Sequence, residues 1–120
     1  MNIIKVTLLS MIISGLMTSF AFATGDVAKG KNLFNDPKFS GGTSGNSCNS
    51  CHSDGKGLEN AGMKKEFNLG GKKQTSLEEV INMCIQNALK GTALDPNSQE
   101  MIDVVSYIKS LGKDTTATKQ

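Results

Sequence analysis

Residues 48–52 read CNSCH, two cysteines two residues apart with a histidine directly after the second. Thiols at this spacing can each add across one vinyl group of a porphyrin, and the adjacent imidazole then reaches the iron from one side. That is the attachment pattern of a c-type haem. Cys48 and Cys51 are therefore the expected points of covalent attachment and His52 the expected proximal iron ligand, for one haem. Other uses of the pair fit less well. A thioredoxin-like redox pair wants a βαβ pattern around it, whereas these flanks are rich in Gly, Ser and Asn without strand-like alternation. A Cys₃His zinc site could be drawn from Cys48, Cys51, His52 and Cys84, but adjacent Cys51 and His52 are cramped as two ligands of one tetrahedral ion. A Cys48–Cys51 disulfide is the third.

Cys84, in INMCI, is the third and last cysteine of the chain. On a helical wheel at roughly 100° per residue from Leu77, Val80, Ile81, Cys84 and Ala88 fall within about 60° of their mean direction. Met83 points well away from that apolar stripe, and so does Asn82. If the stripe faces a haem, the Cys84 sulfur is aimed at the iron, which makes it the expected distal ligand. An inert buried thiol and an intermolecular disulfide are the other fates of such a cysteine. Met63, in a Gly-flanked loop, is the next candidate ligand and Met83 a further one, while Met101 is expected to pack in a helix crossing. Bis-histidine ligation within one chain is excluded, because His52 is the one histidine.

The N-terminus agrees with a cofactor that is attached outside the cytoplasm. Met1 to Lys5 carry one positive charge, Val6 to Met17 are mostly apolar, and Ala21-Phe22-Ala23 is a small-x-small cleavage pattern. Residues 1–23 are read as a signal peptide cleaved after Ala23. The apolar stretch is short of the roughly 18 residues that a membrane span needs, so the mature form is expected to be periplasmic or otherwise exported, without a membrane anchor. The mature chain has 120 − 23 = 97 residues, enough for one small domain with a limited core. It has no Trp and one Tyr, so a bound cofactor could supply the missing apolar bulk. Without Lys5 there remain 12 lysines against 11 Asp plus Glu, which leaves no electrostatic footprint for nucleic acid.

The elements that must position these residues are predicted to be helices. Asp26 to Asn35 reads as the first, ended by Asp36-Pro37. Ser76-Leu77-Glu78-Glu79 reads as a capping box opening a helix to about Leu89, closed by Lys90-Gly91. The last starts near Asn97 or Ser98 and runs to Leu111 before Gly112, with Met101, Val104, Val105, Ile108 and Leu111 at helical spacing. Between them, 39–47 and 53–75 read as loops, the second long enough to suggest that it wraps a haem. Residues 24–112 are the expected domain and 113–120 a polar tail.

With DVAKGKNLF, CNSCH and EMIDVVSYIKSL in place, the mature chain resembles a class I c-type cytochrome. The resemblance implies an all-α fold of three or four helices and long loops around one haem, with Gly30, Phe34 and Tyr107 where the first and last helices cross. The stretch INMCIQNALKGTALDPNSQEMIDVVSYIKSL further resembles thiosulfate dehydrogenases and related sulfur-oxidation cytochromes, in which a cysteine of this helix ligates the haem. The chain is also similar to the small His/Cys-ligated cytochromes that form a heterodimer in anaerobic ammonium-oxidising bacteria. Thiosulfate dehydrogenases carry two haems, but one C-x-x-C-H is present here.

A thiolate ligand favours ferric over ferrous iron, so a His/Cys haem implies low-potential electron transfer, and loss of the thiol on reduction would admit NO or CO. An ordinary Met-ligated electron carrier is the alternative, and a haem subunit of a sulfur-oxidising enzyme the second. Enzymatic activity is the less expected of these. A redox partner protein is expected, with a related cytochrome in a heterodimer suggested by the resemblance. Lys64, Lys65, Lys72 and Lys73 are the residues expected to line its dock. Mass spectrometry of the mature chain isolated from an exporting host should find Thr24 as the first residue.

Overall fold

The computed structural model describes residues 23–114. The expected leader lies outside the described residues except for Ala23, as does the expected tail beyond residue 114. Four α-helices appear in chain order: α1 Val27–Asn35, α2 Cys48–Cys51, α3 Leu77–Cys84 and α4 Gln99–Asp114. A short antiparallel hairpin, β1 Phe67–Leu69 and β2 Lys72–Gln74, lies between α2 and α3. No helix among the described residues is long and apolar enough to cross a membrane.

Local chemistry accounts for the helix ends. The Asp26 side chain accepts from the Lys29 N–H at 3.0 Å and starts α1. Asp36 stops it in an extended conformation (φ −83°, ψ 115°), as the ring of the following Pro37 requires. Ser76 caps α3 by accepting from the Glu79 N–H at 3.1 Å. The return half of the expected capping box goes elsewhere, because the Glu79 carboxylate accepts from the Thr75 N–H at 2.9 Å. Ser98 caps α4, accepting from the Met101 N–H at 3.3 Å.

α1 and α4 cross so closely that a Cβ at Gly30 would stand 2.0 Å from the Asp103 carbonyl oxygen. Phe34 and Tyr107 meet edge to face beside this point, with ring centroids 5.1 Å apart and planes at 64°. Gly30, Phe34 and Tyr107 therefore occupy the crossing, as the family resemblance implied. Asp103, 3% exposed, fixes the chain entering α1: it accepts from the Asp26 N–H at 2.8 Å and from Gln99 Nε2 at 2.7 Å. Met101 and Val104, both fully buried, join Phe34 in the core under this crossing. Among the described residues, every buried side-chain nitrogen or oxygen has a hydrogen-bond partner.

Three sequence expectations need correction. Residues 53–75 are not a featureless loop, since they contain 3₁₀ turns at Ser53–Gly55 and Ala61–Met63 and then the hairpin. Its strands are too short for an alternation pattern, but Gly70 and Gly71, both at positive φ (56° and 75°), supply the two-residue turn that a Gly-Gly pair allows. The helix from Leu77 widens after Cys84 into a π-helical turn, Ile85–Leu89, and Lys90 rather than Gly91 takes the left-handed conformation that closes it. α4 continues through Gly112 to Asp114, so the first residues of the expected tail are helical. Gly112 is not a helix stop there; a Cβ at this position would lie 2.6 Å from the Glu59 carbonyl oxygen.

Gly30→Val would drive a branched side chain into the α4 backbone. The holoprotein should lose about 3 kcal/mol of stability, read as a lower urea midpoint with an unchanged slope; an unchanged midpoint would show that the crossing gives way cheaply.

Candidate haem site

The short helix α2 is held in place before it holds anything else. The Ser47 N–H donates to Ser50 Oγ at 2.9 Å at its start, and Asn49 Oδ1 accepts from the Asp54 N–H at 2.8 Å just beyond its end. His52 follows directly, and its Nδ1 lies 3.2 Å from the Lys56 carbonyl oxygen. A carbonyl only accepts, so Nδ1 carries the proton and Nε2 keeps its lone pair for a metal.

Cys48, Cys51 and His52 line a cavity of about 440 Å³. α3 and the π turn line it too, with Val80, Ile81, Cys84 and Ala88. Phe34, Val104 and Ile108 reach it from the α1–α4 crossing, and Lys64, Phe67 and Leu69 reach it from the hairpin and the segment before it. Most of this lining is apolar, within the size range of cofactor pockets. The helical wheel anticipated the α3 wall, since Asn82 and Met83 do not line the cavity while the four stripe residues do. Met63 is 73% exposed and also stands outside it, and Met101 is fully buried in the core.

Burial sets the chemistry of the thiols. It pushes the Cys48 thiol up to about 11, with nearby Cys84 adding in the same direction, and it raises Cys84 too, with Cys51 as the secondary cause. An apolar wall disfavours a free thiolate at either position. All three cysteines are free, so the disulfide reading has no support in the structure. Among the described residues, no group of three or more His, Cys, Asp or Glu side chains is placed to hold one metal ion.

Two clamps tie the walls together, and neither was foreseen. The loop leading into α2 donates to the last carbonyls of the Cys84 helix. Thr43 and Ser44 N–H groups reach the Leu89 oxygen at 2.9 and 3.1 Å, and Ser44 Oγ reaches the Ala88 oxygen at 2.7 Å. A little further on, the Thr92 N–H donates to the Ser40 oxygen at 2.8 Å, and Ser40 Oγ bonds back to the Thr92 oxygen. On the outer side of α3, the Asn82 amide pairs with the Leu94 backbone, accepting from its N–H at 2.8 Å and donating to its oxygen at 2.9 Å. Nothing in the sequence marks these polar residues, because their partners are backbone groups of remote segments; Asn82 was legible only as a residue off the apolar stripe.

The residues present fit a haem. Two cysteines and a histidine with a free Nε2 lie on one side of an apolar cavity open at one edge, in a core short of aromatic bulk. Fold and cavity together define a class I c-type cytochrome, a haem electron-transfer protein whose haem c is covalently bound. A family model described as the SoxA/TsdA cytochrome c domain matches residues 29–116, and the chain belongs to that family. No curated protein matches the chain, and no solved structure does.

Asn82→Leu would strand the Leu94 N–H and carbonyl oxygen. The expected cost is about 1–3 kcal/mol by urea denaturation of the holoprotein, whereas Met83→Leu should cost well under half of that.

Proposed function

We propose that this protein is an exported single-haem cytochrome in which Cys48 and Cys51 carry the haem, His52 binds the iron on one side and Cys84 on the other. It relays electrons at low potential, and its distal position opens to NO or CO on reduction. The observation that carries this reading is that Cys84 lines the same cavity as Cys48, Cys51 and His52, while Met83 and Met63 stand outside it. Export is supported by the leader-like residues 1–23 and by the periplasmic setting of cytochrome c domains in this family. A related cytochrome as heterodimer partner rests on the resemblance alone.

The bound haem supplies a one-electron couple at its iron. His52 keeps Nε2 available because Lys56 holds its other nitrogen. Cys84 must be a thiolate to ligate, and in this apolar wall the anion is sustained only by a cation facing it. With the haem bound, Cys84 would hold the iron as a thiolate, and the apolar stripe of α3 on which it sits would favour the neutral thiol whenever it is not bound. The thiolate's preference for the oxidised state is also what lowers the reduction potential.

The test compares ferric spectra of Cys84→Ala and Met63→Leu holoprotein with those of the unaltered protein. Cys84→Ala should lose the thiolate-ligand signature and raise the reduction potential, and Met63→Leu should change neither. Unchanged Cys84→Ala spectra, or the red charge-transfer band of a Met-ligated ferric haem, would return the protein to an ordinary electron carrier. A ferrous protein that keeps its sixth ligand under CO would remove the gas-binding part. Thiosulfate turnover by the purified chain would favour the sulfur-oxidising enzyme instead; none is expected.

A further inference from the structure

A haem brings two carboxylates with it, on the propionate side chains of the porphyrin, and the cavity must accommodate both. Its lining is mostly apolar and holds no Asp or Glu, so an ionised carboxylate left inside without a partner is strongly disfavoured. The propionates therefore belong where the lining reaches solvent. Four lining residues are exposed: Cys51, Gly57, Lys64 and Leu69. Cys51 belongs to the proposed attachment pair, and a Cβ at Gly57 would stand 3.9 Å from His52 Nδ1, so both lie at the attachment end. On a porphyrin the propionates leave from the side away from the two vinyl groups. That leaves the edge formed by Lys64 and Leu69.

All 13 basic residues of the chain are lysines, so no guanidinium is available to a carboxylate, and among the described residues Lys64 is the one lysine that lines the cavity. Its backbone is fixed there. The Lys64 N–H donates to the Ala61 carbonyl oxygen at 3.3 Å, closing the 3₁₀ turn Ala61–Met63. That turn lies against α4, where a Cβ at Gly62 would stand 2.9 Å from the Lys109 Cα. Lys64 itself is extended (φ −74°, ψ 140°), so its side chain and that of Lys65 diverge, and Lys65 does not line the cavity. Lys64 makes no ion pair among the described residues, and the nearby Glu66 carboxylate is engaged by Lys73, whose Nζ is 2.8 Å away. Ser47, a second polar side chain in the lining, is buried with its hydroxyl 3.3 Å from Ser50 Oγ. An exposed cation at an apolar rim, with no acid of its own chain beside it, matches an anionic group carried in by the cofactor.

We propose that Lys64 is a cofactor-binding residue whose ammonium group pairs with one propionate carboxylate of the haem. The assignment rests on the haem reading of the cavity and is independent of whether Cys84 ligates the iron. One lysine serves two carboxylates, so the second propionate is left to solvent. Lys72, which pairs with Leu69 in the hairpin register, is the next cation beyond the rim, and His52 and the three cysteines are the other titratable side chains of the lining. An ionised propionate favours the oxidised haem, so the reduction potential falls as pH rises through its ionisation. An ammonium group facing it favours the ionised form and brings that fall to lower pH; without Lys64 the fall moves to higher pH.

The test is the reduction potential of the holoprotein measured across about pH 4 to pH 9, a range that spans carboxylate ionisation. Wild type is compared with Lys64→Met, Lys64→Arg and Lys65→Met. In Lys64→Met the fall should move about one pH unit higher, and Lys64→Arg, which keeps the charge, should retain the wild-type profile. Lys65→Met removes the same charge from an exposed residue outside the cavity. It should move the fall by less than about a third as much, because at physiological ionic strength salt screens such a charge over about 8 Å. Equal shifts in Lys64→Met and Lys65→Met would mean that only net charge acts and would overturn the assignment. So would a Lys64→Met profile that coincides with wild type, or a Lys64→Arg profile that moves with Lys64→Met. The absence of a haem couple in all four proteins would overturn the haem reading itself, which keeps that failure apart from failure of the assignment.

Discussion

The structure depends on the crossing of α1 and α4 at Gly30, where one helix presses on the backbone of the other with no side chain between them. Helices this close bring Phe34 and Tyr107 edge to face. They also place Phe34, Val104 and Ile108 along one side of the haem cavity. A larger residue at Gly30 would separate the axes and move that side of the cavity with them. The buried Asp103 carboxylate reinforces the contact by binding the N–H of Asp26, the residue that caps α1. One carboxylate thereby connects the start of the first helix to the middle of the last.

From this base two further walls are built, and they are coupled by hydrogen bonds rather than by packing alone. α2 carries Cys48 and Cys51, with His52 directly after it, and α3 carries Cys84. The loop before α2 donates to the Ala88 and Leu89 carbonyls at the end of the π turn, so the two sides of the cavity share one set of bonds. Ala88 and Leu89 are the last residues of that turn, so their carbonyls have no partner further along the helix and Thr43 and Ser44 take them. Asn82 restrains the same helix from its outer side, so Cys84 sits on a segment fixed from both directions.

Much of this was legible because it follows from local chemistry. The three long helices, the Ser76 cap, the Pro37 stop and the apolar stripe of α3 each arise from residues within a turn or two of one another. The hairpin was not read, since three-residue strands carry too little alternation; the Gly70-Gly71 pair was its one signal. Gly112 was misread as a helix stop for a different reason. A glycine can serve backbone freedom or close approach, and only the position of Glu59 shows that the second applies.

The sequence by itself determined the haem motif, the helical class of the fold and the direction of Cys84 relative to Met83. Each is a matter of spacing along the chain or around one helix. The tertiary structure decided that Cys84 shares a cavity with Cys48, Cys51 and His52, that Met63 is left in solvent, and that, among the described residues, Lys73 is paired with a carboxylate while Lys64, Lys65 and Lys72 are not. These depend on how segments far apart in the chain approach one another, and the groups that fix those approaches are mostly backbone carbonyls and N–H groups, which every residue carries and no sequence pattern distinguishes.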